Sequence, residues 1–364
     1  MTNETLASYS NLSLYSAMAV FTLAMIAFAI DLARSAQATV EPAGVAPLAA
    51  DPVTAEAVSA GAAVVPAGQL VGAGAPVGPS SAPVGPASGA STGAGAAAGS
   101  GAVGDVAEVP RRRKAAGIGM SLSWLGALLL IAATVLRGLS VDRPPLGNMY
   151  EFSLVGCSFV MAVFLGLSTR RDLRWLGLFV VGPVLLTLGL AMTVFYTAAS
   201  QLLPSLKSYW LVIHVTVATL SVAIFTIAFS VTILYLVMSW LEGLIPEQLT
   251  GMRAKVHALL PTARQLDRTA YGLHIVAFPL WTFTLIAGAI WAEQAWGHYW
   301  NWDPKEVWTF VIWVVYAAYL HARATTGWSA RRAAYLALAG YGCILVNYMV
   351  VNVFFVGQHS YSGM

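Results

Sequence analysis

Residues 209–239 read YWLVIHVTVATLSVAIFTIAFSVTILYLVMS, a run without one Asp, Glu, Lys or Arg. Crossing the hydrocarbon core of a bilayer takes about 20 apolar residues in a helix. This run therefore spans it, and its surplus length must tilt, kink or project beyond it. Seven further runs of the same character lie at about 11–30, 117–137, 149–168, 174–195, 271–292, 306–325 and 333–356. Only 10% of the 364 residues are charged and 58% are hydrophobic, whereas a soluble domain carries about 25% charged residues. The expected fold class is all-α, a polytopic integral membrane protein with about eight transmembrane helices. No continuous basic face suggests nucleic acid as a partner.

The first run has no basic region ahead of it and follows Glu4, so residues 1–35 read as an uncleaved anchor rather than a signal peptide. Residues 36–114 are an Ala/Gly/Pro-rich segment with a basic end, Arg111-Arg-Arg-Lys114. Without aromatics to seed a core, it is expected to be a disordered linker. Residues 115–364 form the remaining transmembrane domain. Cys157 and Cys343 both fall inside apolar runs and form no CxxC or CxxCH, so neither a thiol redox pair nor covalent haem attachment to this chain is indicated.

Lysine and arginine concentrate on the cytoplasmic side of membrane proteins. With the N-terminus external, the cytoplasmic segments hold Arg34, Arg111 to Lys114, Arg170, Arg171, Arg174, Arg253, Lys255, Arg264, Arg268, Arg323, Arg331 and Arg332. That is 15 of the 19 basic residues, leaving Arg137, Arg143, Lys207 and Lys305 outside. This orientation places both termini outside, together with the connection at 293–308.

That connection contains Trp296-Gly-His-Tyr-Trp-Asn-Trp-Asp-Pro-Lys-Glu-Val-Trp308, with four tryptophans and three charges in thirteen residues. Trp296, Trp300, Trp302 and Trp308 suit stacking on a large flat molecule, although an interfacial aromatic belt is the plainer reading. Asp303-Pro304 reads as an N-cap followed by a first-turn proline, with Glu306 favouring the same helix start. Lys305 has no capping role, which leaves it for an anionic ligand group. Topology brings His214 and His359 to the same membrane face, and two imidazoles suit axial ligation of haem iron. His321 lies about 15 residues into its span, roughly 23 Å at 1.5 Å per residue. It is either an intramembrane functional residue or a neutral histidine bonded between helices. His274 opens its span on the inner side, and His257 falls in an inner loop. Arg143 suits a carboxylate such as a haem propionate; a salt bridge to Asp142 or Glu151 is the alternative.

These residues resemble a known family. Trp296-Gly-x-Tyr-Trp-x-Trp-Asp-Pro-Lys-Glu-Val-Trp308 is similar to the tryptophan-rich WWD signature of haem-handling proteins. Together with Arg143-Pro-Pro-Leu-x-Asn-Met-Tyr-Glu-Phe152, Trp210-Leu-x-Ile-His214, Tyr319-Leu-His-Ala-Arg323 and Gly357-x-His-Ser-Tyr361, it resembles the CcsA/ResC cytochrome c biogenesis proteins, labelled CcsB in actinobacteria. The signature alone is shared with CcmC and CcmF proteins.

The resemblance implies that His214 and His359 ligate haem b externally, beside a loop that includes Asp303. It implies that His321 serves an intramembrane haem site whose second ligand comes from a ResB/Ccs1-type partner. The implied task is to move haem outward across a bacterial plasma membrane and present it for thioether attachment to the CxxCH of apocytochrome c. Such a chain would be part of a cytochrome c synthetase complex. A b-type electron-transfer subunit is the rival reading, and a plain transporter is a second.

Overall fold

The computed structural model describes residues 3–35, 113–201, 207–325 and 327–359. The segment expected to be a linker lies outside these residues except for its last two positions. Among the described residues there are eight helices long and apolar enough to cross a membrane, in the predicted order. They are built on α1 (Glu4–Ser35), α2 (Lys114–Val141), α3 (Met149–Ser168), α4 (Gly177–Thr193, whose span begins at Arg174), α5 (Tyr209–Leu241), α7 (Ala263–Trp296), α8 (Pro304–Ala324) and α9 (Ala330–Leu345, whose span runs on to Phe354). A short amphipathic helix, α6 (Gly251–Leu259), stands between α5 and α7 and carries His257, which the sequence reading had left in a loop. After α9 the chain widens into a π-helical turn, Val346–Val351, and ends its helical course in α10 (Asn352–Phe354).

The helix starts follow from short polar side chains. Asn148, Ser208, Thr262, Asp303 and Ser329 each accept a backbone N–H in the first turn of the helix they precede. Such a cap is worth about 1 kcal/mol. Thr262 forms a capping box with Gln265, so α7 begins at Ala263, before the apolar run that first marked it at about 271. An apolar run marks where the bilayer is, whereas caps and backbone hydrogen bonds decide where the helix is.

One core joins α1 to α4 with much of α5, through residues such as Phe21, Tyr150, Leu154, Phe164 and Leu188. A second joins α5, α7, α8 and α9, where Phe225 stacks on Tyr316 at 4.0 Å. Cross-links between helix ends fix which ends lie together. At one end, Asn3 N–H donates to the Ser140 carbonyl and Ser208 Oγ–H to Gln294. At the other, Ala263 N–H donates to Glu242, Arg323 pairs with Asp267, and Arg331 reaches Ser239. Arg113 pairs with Asp31, whose other oxygen accepts Ala116 N–H, so α1 caps the start of α2.

Candidate functional site

The end of the bundle that carries the aromatic connection holds a cavity of about 460 Å³, walled by α3, α4, α5, α7, α8 and the turn after α9. Both His214 and His359 line it. His214 sits in the second turn of α5, whose start is fixed by the Ser208 cap. Its Nδ1 lies 3.0 Å from the Thr284 carbonyl of α7. A carbonyl oxygen only accepts, so Nδ1 carries the proton and Nε2 the lone pair. The ring can approach α7 this closely because residue 288 is glycine; a Cβ there would fall 2.7 Å from His214 Cε1.

His359 arrives from the C-terminal segment. Its Nδ1 bonds Asp303 Oδ1 at 2.9 Å. Asp303 is buried and works in two directions. Oδ1 also accepts Lys305 N–H at 3.0 Å and so starts α8, while Oδ2 accepts Gln358 N–H at 2.6 Å. The carboxylate thus ties the α8 start to the segment that presents His359. Burial alone would raise the Asp303 pKa. The hydrogen bonds from His359 and from the two backbone donors outweigh it and hold the carboxyl below its ordinary value. Gly357 belongs to the same device, because a Cβ there would collide with Asp303 Oδ2.

Metal-ligating histidines usually have their second nitrogen fixed by a carbonyl or carboxylate. Here each imidazole has Nδ1 on such an oxygen, which makes Nε2 the metal-binding nitrogen of the neutral ring. The donor set thus fits a haem iron held between two neutral histidines, and the mainly apolar walls suit a porphyrin. Trp291 completes the frame. It stacks on His214 at 6.0 Å between ring centroids and meets His359 edge-on at 5.6 Å. Sequence reasoning missed Trp291 because it lies inside an apolar run. The available signal was spacing: Thr284, Gly288 and Trp291 follow i, i+4, i+7 and share one face of α7.

The tryptophans of the connection divide the work. Gly297, in the left-handed region at φ 78°, ends α7. Trp296 packs against Trp291 and His359 at 4.7 and 4.8 Å. Trp300 lines the cavity with Tyr299, whereas Trp302 is 77% exposed and meets Trp300 edge-on. Trp302 also has φ 56°, an uncommon conformation for a side chain of this size. Glu306 Oε2 holds it there by accepting N–H groups on both sides, from Asn301 at 2.9 Å and Asp303 at 3.1 Å. Trp308 lies partly buried on α8 and does not line the cavity.

Arg143 does not line the cavity, and its guanidinium is committed to a carboxylate of the chain itself. It makes a two-pronged ion pair with Glu151 at 2.7 and 3.0 Å and also donates to the Ser200 carbonyl. The physical reason is Glu151, which is fully buried in the first turn of α3 and requires compensation. Arg137 supplies a second partner at 3.1 Å. His321 lies in the last turn of α8, at the opposite end, with an exposed side chain and no side-chain hydrogen bond or ion pair among the described residues. The histidine enclosed between helices is His274. Its Nδ1 lies 2.7 Å from the Ala270 carbonyl, and its ring packs among Phe225, Tyr316 and Tyr319.

Fold and site together define a polytopic helical membrane protein with a cavity built around two oriented imidazoles. Residues 146–359 match the family model of the cytochrome c assembly proteins, and the chain belongs to that family. A cytochrome c biogenesis protein CcsA of Gloeobacter violaceus is 31% identical over 291 residues, covering 67% of this chain and 86% of its own length. A protein of the same description from a Synechococcus strain is 33% identical over 309 residues, 70% of this chain and 88% of its own. One from Guillardia theta is 37% identical over 243 residues, 60% of this chain and 76% of its own.

Proposed function

We propose that this protein acts in cytochrome c biogenesis by moving haem b across the membrane and presenting it in the cavity between His214 and His359. The cavity end is the external one, both termini lie outside, and the membrane is a bacterial plasma membrane. One observation carries the reading: both histidines line one cavity, and each has its Nδ1 committed to an oxygen acceptor. Family membership, and relatives described as cytochrome c biogenesis proteins, support it.

In this reading His214 and His359 hold the iron, Trp291 and Trp296 brace the imidazoles, and Trp300 closes the edge. The cavity supplies proximity and orientation. Apocytochrome c docks at this face, and each CxxCH thiol adds across a haem vinyl group. A C–S bond forms to one vinyl carbon and the proton goes to the other. His321, exposed at the opposite end, meets a ResB/Ccs1-type partner that provides the second ligand of an inner haem site.

The test is to purify the chain with its partner, record the haem spectrum, and replace His214 and His359 singly. Loss of the six-coordinate, low-spin bands and of cytochrome c maturation is expected in both variants. Unchanged haem content and maturation in both would remove the assignment.

A further inference from the structure

Lys305 is a cation that the iron site does not use. It is the sole Lys or Arg among the described residues that line the cavity. Its ammonium crosses from α8 to the π-helical turn and donates to the Asn347 carbonyl at 2.9 Å. No carboxylate lies within 4.0 Å of it among the described residues. Asp303 is occupied by His359, Gln358 N–H and the Lys305 backbone N–H. Glu306, which also lines the cavity, has Oε2 on Asn301 and Asp303 N–H and its Oε1 without a hydrogen-bond partner. An ammonium carries three donors, and one neutral carbonyl is thin compensation for a deeply placed charge.

A second observation falls at the same spot. Asn347 is 6% exposed, and its side-chain Oδ1 is sealed from solvent with no hydrogen-bond partner. The lysine nitrogen is bonded to the main chain of this same residue. A half-turn of the amide puts N–H where the unpartnered oxygen now stands. A charged donor and an amide are then set together in the wall of a mainly apolar cavity, as recognition of a carboxylate requires. Arg143, the other cation that the sequence offered for this purpose, is committed to Glu151.

We propose that Lys305, assisted by Asn347, is the carboxylate-recognition site of this cavity and selects a flat apolar ligand with an acidic edge. The inference rests on the haem reading, in which the carboxylate is a propionate.

Ferric haem and its dimethyl ester, with both propionates blocked, distinguish the two ideas. Each is titrated into the purified full-length chain and into Lys305→Met, Lys305→Arg and Asn347→Leu, following the Soret band. The wild type is expected to prefer haem by about tenfold or more, the size of one charge-assisted hydrogen bond. Lys305→Met should bind both ligands equally and keep the two-histidine spectrum; Lys305→Arg should retain the preference, and Asn347→Leu should reduce it. Equal affinities in the wild type, or a preference that survives in Lys305→Met, would overturn the proposal. If Lys305→Met does not fold, an undiminished preference in Asn347→Leu overturns it. His214→Ala should weaken both ligands alike. A wild type that binds neither removes the haem reading, and this proposal with it.

Discussion

The two ends of the bundle use histidine in opposite ways. At the cavity end, His214 and His359 have one nitrogen fixed by an oxygen and line open space. At the other end, His274 is enclosed by aromatic rings, while His321 stands on the exposed surface of the last turn of α8. Neighbouring charges there satisfy each other, as in the 2.8 Å Arg323–Asp267 pair. One end is a site assembled within the chain. The other holds one histidine packed among rings and one that stands exposed.

The largest expected effect breaks the cavity end directly. His214→Ala or His359→Ala should lower haem affinity by about a hundredfold or more, each removing one of the two proposed iron ligands; spectral titration measures it. Asp303→Asn comes next. It keeps the shape of the support but weakens its hold on His359, and haem affinity should fall about 10- to 100-fold.

The same variant has a pH signature. A carboxyl whose folded pKa is lowered contributes stability that is present above its ordinary value of about 3.9 and is lost as pH falls through the lower folded value. Wild type should therefore exceed Asp303→Asn in thermal stability at neutral pH, and the gap should close only below the ordinary carboxylate range. A gap independent of pH would mean that the carboxylate charge does no work there.

Gly288→Ala should displace the His214 ring and weaken haem binding about tenfold, since small misplacements of a reacting group are costly. His321→Ala sharpens the contrast between the ends. Loading of the cavity in the isolated chain should stay within about twofold, as expected for distant sites, while maturation with the partner present is lost. His274→Phe should be the mildest, keeping the aromatic packing and cavity loading and losing about 1 kcal/mol for one hydrogen bond. A haem titration and a thermal melt test it.

Much of this was legible from order and spacing. The apolar runs located all eight spans, because the bilayer imposes its thickness on composition. Asp303-Pro304 and Glu306 announced the start of α8, which is local chemistry; the structure adds that Asp303 and Glu306 close a capping box. His257 was misplaced in a loop because α6 is too short and too polar to register as a hydrophobic run. Trp291 was hidden because an aromatic in an apolar run looks the same whether it faces lipid or a histidine. Arg143 was offered to a ligand because nothing in the chain order shows that Glu151 is fully buried and claims it.

By itself, the sequence determined a membrane-spanning helical bundle, the grouping of His214, His359 and the aromatic connection at one end, and the resemblance to cytochrome c biogenesis proteins. Tertiary structure alone decided which nitrogen of each imidazole is committed, that Asp303 joins the helix cap to His359, and that Lys305 rather than Arg143 faces the cavity. The physical reason is range. Span length, capping and charge asymmetry act over a few residues or across one bilayer. The orienting hydrogen bonds join residues 56 and 70 positions apart, and only packed helices bring such partners within 3 Å.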